Sequence, residues 1–316
     1  MSSLLQPSRF SAPVALFVYR RLAHTRQTVE ALLRNEGASQ SHLFIFSDGA
    51  ATPEIEPEVT AVRAYVGSIT GFASVTIICR TQNMGLAANI ISGVSEILEN
   101  HDRVIVVEDD LETSPWFLTF MNQALTRFDD DLRMGHVHGY MYPLSPLPDV
   151  VITRWVGSWG WGTWARAWQF FESDGELLLR NLIRDRKQRA FDLQGRFTRM
   201  LRQQVEGKNN SWAIRWYASL FLRGMYAVNA GRSLVRNSGH DNSGTHSKAD
   251  ACYDVVPSVS PLSFEWLDRA LSAQPFGQPE TAESRRLIAR YHHSVYGIAG
   301  RVKRRLYRFF QKRLSV

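Results

Sequence analysis

The sequence predicts an α/β protein built on a mainly parallel central sheet flanked by helices. Three observations lead there. Short apolar runs rich in valine and aromatic residues recur at Pro13 to Tyr19, Leu43 to Phe46, Val75 to Cys79 and Arg103 to Val107, each the length of a buried strand. Segments between them carry helical spacing, with Val29, Leu32 and Leu33 inside His24 to Asn35 and a second stretch from Gly85 through Leu98. Polar residues then punctuate the chain after the strands: Arg20 and Arg21, Ser47 to Gly49, Asn83 to Gly85, and Glu108 to Asp110. Strand and helix in alternation imply right-handed crossovers and a parallel sheet, whose ligands gather at its carboxyl edge.

Beyond Leu111 the texture changes. Ser114 and Pro115 signal a helix start for the segment through Phe128, and Gly-, Trp- and His-rich stretches follow, with His136 and His138 on a short strand-like piece. A chain of 316 residues suffices for one large or two intimately packed units. The expected organisation is a domain over 12–250, with halves 12–110 and 111–250, and a helical region over 251–316.

The net charge of +7 suggests nucleic acid until its distribution is seen. Ten Lys and Arg residues lie from Arg285 onward with no acid among them, which leaves about −3 for the rest of the chain. A mildly acidic body argues against a nucleic-acid partner. Within the basic tail, Ile298, Val302, Leu306, Phe309, Phe310 and Leu314 recur at helical spacing, so 298–314 reads as an amphipathic helix suited either to an anionic membrane surface or to docking on its own protein. Two distant cysteines, Cys79 and Cys252, argue for a reducing compartment. No stretch resembles a leader or a bilayer span, so the expected location is cytoplasmic, peripheral on the inner face of the membrane.

The strongest local feature is a strand that delivers Glu108, Asp109 and Asp110 to its end. Like charges so close raise one another's pKa and favour a neighbouring cation. Oxygen ligands of this kind suit Mg²⁺ or Mn²⁺, which keep positions open for diphosphate oxygens. Taken alone, the acids equally decorate a strand-to-helix turn. Trp159, Trp161 and Trp164 alternate with glycines and form, with Trp212, either a core cluster or a platform on which sugar rings stack. The Gly-flanked loop from His240 to His246 offers a metal ligand, a phosphate donor or a base in His240, Asp241 and His246.

An apolar strand ending in Glu108, Asp109 and Asp110, then Leu111 and a helix opening near Ser114, Pro115, Trp116 and Phe117, resembles the DXD region of GT-A fold glycosyltransferases. These are Rossmann-like nucleotide-diphospho-sugar transferases, and the likeness is to the N-acetylglucosaminyltransferase I family and its bacterial, family 2-like relatives. Pro13 to Arg21, Ser47 to Gly49, and Asn83, Gly85 and Leu86 resemble that family's nucleotide-binding elements in the same order. Ser158 to Trp164, Ser211 to Trp216 and Asn237 to His246 resemble a block shared by bacterial members. An ordered series of such motifs is more specific than any one.

The resemblance implies a metal-dependent hexosyl- or N-acetylhexosaminyl-transferase with Mn²⁺ or Mg²⁺ and a UDP-sugar donor. Transfer, by inversion, would be to a glycan or lipid-linked acceptor in surface polysaccharide synthesis. Arg20, Asp48, Asn83, Gly85, Glu108 and Asp109 would bind the nucleotide sugar, with Asp48 at the base, Asp110 as metal ligand and His246 completing the site. The chain departs from the family at Asn209 to Trp216, where the base is expected but Asn210, Ser211 and Arg215 stand without an acid. Asp241 is then the first choice for the base, with Asp174 or Glu172 next. Two other classes remain open. A nucleotidyltransferase acting on a sugar phosphate would show a glycine-rich phosphate loop, and Arg20 to Thr25 has no glycine; a non-catalytic sugar- or nucleotide-binding protein would explain the missing acid.

Overall fold

Val14–Val18 (β1) is buried at every position, as a strand covered by helices on both faces must be. It opens a run of crossovers through Leu22–Leu33 (α1), His42–Ser47 (β2), Glu56–Val66 (α2), Ser74–Cys79 (β3), Leu86–Leu98 (α3) and Arg103–Glu108 (β4). The chain continues through Leu111–Thr113 (β5), Phe117–Arg127 (α4), Met134–His138 (β6), Val150–Thr153 (β7) and Trp161–Trp164 (β8). Next come Ala165–Trp168 (α5), Gly175–Arg184 (α6), Gln188–Asp192 (α7), Phe197–Val205 (α8), Trp212–Leu222 (α9), Tyr226–Ala230 (β9) and Val235–Asn237 (β10). Glu265–Ala273 (α10) and Ala282–Tyr296 (α11) follow. The structure is a computed structural model that describes residues 11–144, 147–239, 251–273 and 279–297.

The sheet has eight strands in the order β3-β2-β1-β4-β8-β6-β9-β7. β1, β2, β3 and β4 are mutually parallel, β6 and β9 run with them, and β8 and β7 run against them. This is the mainly parallel α/β sheet that the strand and helix alternation predicts. From β1 the chain moves outward to β2 and β3, then returns to lay β4 on the other side of β1. The carboxyl ends of β1 and β4 therefore flank a topological switch point, the crevice where open α/β sheets receive ligands.

Two differences from the sequence reading have local causes. Helix α2 was missed, although Pro57 stands in its first turn, Glu56 and Glu58 face its amino end, and Val59, Val62 and Val66 are its buried stripe. Strand β3, expected to be buried, is largely exposed because it is the sheet's edge. The expected start at Ser114 is a turn just ahead of α4, with Ser114 Oγ accepting from Trp116 N at 3.2 Å.

The region after residue 250 shares the core of the body. Ile288 and His292 of α11 are fully buried. His292 lies between the Leu193 carbonyl at 3.0 Å and Tyr142 Oη at 3.1 Å, while Tyr142 stacks on Tyr291 at 4.3 Å. The 298–314 segment expected to meet a membrane lies outside the described residues. No helix among the described residues is long and apolar enough to cross a bilayer.

Trp161 is fully buried in β8, between His136 at 5.4 Å and Trp212 at 5.0 Å. Trp161→Ala is expected to cost about 3–5 kcal/mol in urea unfolding; a loss within about 0.5 kcal/mol, the range of surface substitutions, would place this ring outside the core.

Candidate functional site

At the switch point the first helix and the fourth strand meet through one cation. Arg21, the residue before α1, donates from Nη2 to Asp109 Oδ1 and, at 2.9 Å, to Asp110 Oδ2. The group is well shielded, with side-chain exposures of 20% for Arg21, 8% for Asp109 and 14% for Asp110. Several elements hold it there. Thr28 of α1 donates to the Asp109 carbonyl at 2.8 Å, and Asn35 joins α1 to Thr113 and to the Leu118 amide at 2.9 Å each. β5 pairs antiparallel with β10, and just past β10 the Ser238 amide donates to the Asp110 carbonyl at 2.8 Å. That ribbon brings Gly239 against the acids, where a Cβ would overlap Asp110 Oδ2 and approach Arg21 Nη1 to 3.1 Å.

Burial, reinforced by Asp110 and Asp109, pushes the Glu108 carboxyl up to about 8. Burial also pushes Asp109 up, to about 6, against the pull of Arg21. Burial lowers the Arg21 guanidinium, but Asp109 and Asp110 more than offset it and hold the group above its ordinary value. Arg21 Nη1 and Asp109 Oδ2 are buried without a hydrogen-bond partner among the described residues. Asp109 and Asp110 on one guanidinium, with one buried acceptor atom unsatisfied, offer hard oxygen donors of the kind that suit a divalent cation. Among the described residues no three His, Cys, Asp or Glu groups converge on a metal position. A cation at Asp109 and Asp110 would therefore complete its shell from a ligand's oxygens or from water.

A second polar knot closes the neighbouring strand ends. Asp48 accepts the amides of Gly49, Met84 and Gly85 at 2.9, 2.8 and 2.9 Å and Asn83 Nδ2 at 3.3 Å. Asp48 and Asn83 thus tie the loop after β3 to the end of β2. Arg63 of α2 latches the same place, donating to Ser47 Oγ, the Asp48 carbonyl and the Arg80 carbonyl at 3.2, 3.2 and 2.7 Å. Two glycines are required here. A Cβ on Gly49 would lie 2.5 Å from the Gln82 carbonyl carbon, and Gly85 takes φ +73° with nothing within 4 Å of its Cβ position.

The structure brings together Asp48, Asn83 and Gly85 in this knot, and Glu108, Asp109 and Asp110 at the end of β4. It substitutes Arg21 for Arg20, whose exposed guanidinium sits 3.9 Å from Glu58 instead. It also reassigns the remaining acids within reach of description. Asp174 caps α6 by accepting the Glu176 and Leu177 amides, and Glu172 accepts the Asp174 amide at 2.7 Å, so both carboxylates serve the helix start. Asp241 and His246 lie outside the described residues.

The tryptophans separate. Trp161 and Trp212 belong to the core, with Trp212 only 4% exposed. Trp159 is half-buried, edge-on to Tyr140 at 4.6 Å, and the following Gly160 packs against Val235 of the β10 ribbon. Helix α9 leads into β9, which runs parallel to β4, so its start lies on the same sheet edge as the acids. There Ser211 caps the helix, and Arg215 donates to the Ser211 and Ser173 carbonyls at 3.3 and 3.2 Å. The sequence marks the pair Arg20 and Arg21 but not which of them turns inward, which the first turn of α1 sets, and it carries no signal for Arg63.

No protein-family model and no curated protein matches the chain. Among solved structures it is similar to a mannosyltransferase from Pyrobaculum calidifontis in complex with GDP-Man and Mn²⁺, at 16% identity and a TM-score of 0.30, over 42% of this chain and 37% of that one. It is also similar to TarS of S. aureus, at 10% identity and a TM-score of 0.30, over 43% of this chain and 23% of that one. The chain thus spans well under half the length of either structure.

Burial holds three histidines neutral: His136 falls well below its ordinary value, His138 to about 3 and His292 to about 4. The unfolded chain protonates them below its ordinary value of 6.5, so their contribution to stability is lost as pH falls below that value. Glu108 and Asp109 act with the opposite sign, losing stability as pH rises from 4.5 to about 8 and from 3.8 to about 6. Three histidines outweigh two carboxyls between pH 4.5 and 6.5, and above 6.5 only Glu108 of the five still titrates. Unfolding free energy in a urea series is therefore expected to peak near pH 6.5, with Glu108→Gln removing the alkaline decline. A parent profile that climbs steadily to pH 8 would contradict these shifts.

Proposed function

We propose that the chain is a glycosyltransferase that holds a nucleotide-diphospho-sugar at the β1 and β4 crevice and passes the sugar to a glycan or lipid-linked acceptor. The observation that carries this reading is the shielded cluster of Arg21, Asp109 and Asp110 at the switch point, with a guanidinium nitrogen and a carboxylate oxygen both unsatisfied. In this reading the Asp48, Asn83 and Gly85 knot shapes the nucleotide end, Trp159 offers its ring at the acceptor side, and the donor is UDP-linked, as the resemblance in sequence implies. The same resemblance supports inversion, a relation to the N-acetylglucosaminyltransferase I family and a place in surface polysaccharide assembly at the inner membrane face, with 298–314 on the lipid.

The chemistry follows from the charges. An acceptor hydroxyl attacks the anomeric carbon, its proton passes to the base, and the bond to the diphosphate oxygen breaks with its electron pair on the leaving group. Arg21 is placed to meet that growing negative charge. Asp109 and Asp110, with His246, would hold Mn²⁺ or Mg²⁺, which supplies Lewis-acid help to the leaving diphosphate. Asp241 is the proposed base.

Asp110→Asn is expected to lower donor turnover at least about a hundredfold, the scale of losing a charge-stabilising group, with the circular-dichroism melt unchanged. Undiminished turnover would overturn the assignment. A second reading, a donor-binding protein without transfer, draws on the α9 start, where Asn210, Ser211 and Arg215 stand where the family's base is expected. Donor hydrolysis in Mn²⁺ by the parent, lost in Asp241→Asn, excludes it.

A further inference from the structure

A cavity of about 600 Å³ opens between α7, the turn after it and the start of α11. Arg186, Arg189, Arg285 and Arg286 line it, and none of the four side chains makes a hydrogen bond or salt bridge with another described residue. Glu280 is the one acid in the lining. Its carboxylate accepts the Arg154 amide at 2.9 Å, and burial pushes it up toward the neutral form. The other acid of the first turn of α11, Glu283, does not line the cavity. Arg133 and Arg184 pair with carboxylates on this chain, whereas here Glu280, which feels the charge of Arg285, is the one acid for four arginines, leaving an excess of positive potential at the cavity.

The backbone supports the same place. Arg186, Leu193 and Gln194 are the non-glycine residues with positive φ among those described, at 53°, 42° and 65°, and all three line the cavity. Such conformations cost energy and persist where surroundings fix them. Here His292 fixes the Leu193 carbonyl from α11, so α7's end and α11's start are held at a set spacing. Thr281 caps α11, a helix of 15 residues, and Thr281 and Ala282 bring its positive end to the cavity wall.

We propose that this cavity binds a phosphate-bearing anion. Planar guanidinium forks match the oxygens of phosphate two at a time, and a helix start adds its own donors and dipole. The site is separate from the donor crevice. Glu280 meets Arg154, which follows β7, and β7 ends opposite the beginning of β9, at the amino edge of the parallel strands. The shared chemistry is a phosphate group, borne either by an anionic lipid headgroup or by a soluble phosphate compound.

The test uses the full chain, the double variant Arg189→Gln/Arg285→Gln, and Arg290→Gln as a control on an exposed position of α11 outside the lining. Calorimetric titration with inorganic phosphate is expected to show binding at least about tenfold weaker in the double variant, the loss of roughly one charge-assisted contact, and unchanged in the control. Sedimentation with phosphatidylglycerol vesicles, against phosphatidylcholine alone, assigns the source. Parallel loss of vesicle binding in the double variant identifies a lipid headgroup, and retained vesicle binding identifies a soluble ligand. Equal phosphate affinity in parent and double variant, equal loss in Arg290→Gln, or no binding of either probe by the parent would overturn the proposal. Donor turnover by the double variant is expected to match the parent, which keeps this result distinct from the fate of the donor site.

Discussion

The bridge from Arg21 to Asp109 and Asp110 joins the first crossover helix to the fourth strand, and most of the site's geometry depends on it. Three carboxyl groups at the end of a buried strand repel one another and resist ionising out of water. One guanidinium compensates part of that charge. Burial first, and the neighbouring carboxyls after it, push Glu108 and Asp109 up. The fold places these carboxyl groups where the sheet's connections diverge, the edge at which open α/β sheets receive ligands.

Around that bridge the chain uses backbone amides and short polar side chains rather than further charges. Asp48 is satisfied by backbone amides and Asn83, Arg63 by Ser47 Oγ and carbonyls, and the Asp110 carbonyl by Ser238. These contacts fix loop ends without adding carboxylates that would compete for a metal. The aromatic half then supplies stiffness. His136, Trp161, Trp212, Trp168 and Trp216 pack together beneath the same edge, leaving Trp159 half-buried above them.

Much of this was legible in the residues. The first four strands announce themselves because parallel strands are continuous apolar runs, even where one of them, β3, lies exposed at the sheet's edge, and the polar punctuation after them marks the carboxyl edge. Burial was less legible. Trp161 and Trp212 read as a sugar platform because alternating Trp and Gly suggest an exposed loop, whereas strand pairing of Trp161 with Val106 and His138 draws the ring inside. Asp174 read as a base because a carboxylate's sequence neighbourhood does not reveal that its oxygen caps a helix. The choice of Arg21 over Arg20 depends on one residue of phase at a helix start, which periodicity alone does not set.

The central claim is that the end of β4 and Arg21 receive a metal-bound nucleoside diphosphate. Anomalous scattering from a crystal grown with Mn²⁺ and a nucleoside diphosphate tests it most directly. A manganese peak within coordination distance of Asp110, with the diphosphate against Arg21, is the predicted result. A peak elsewhere, or a diphosphate bound away from the β1 and β4 crevice, would contradict it.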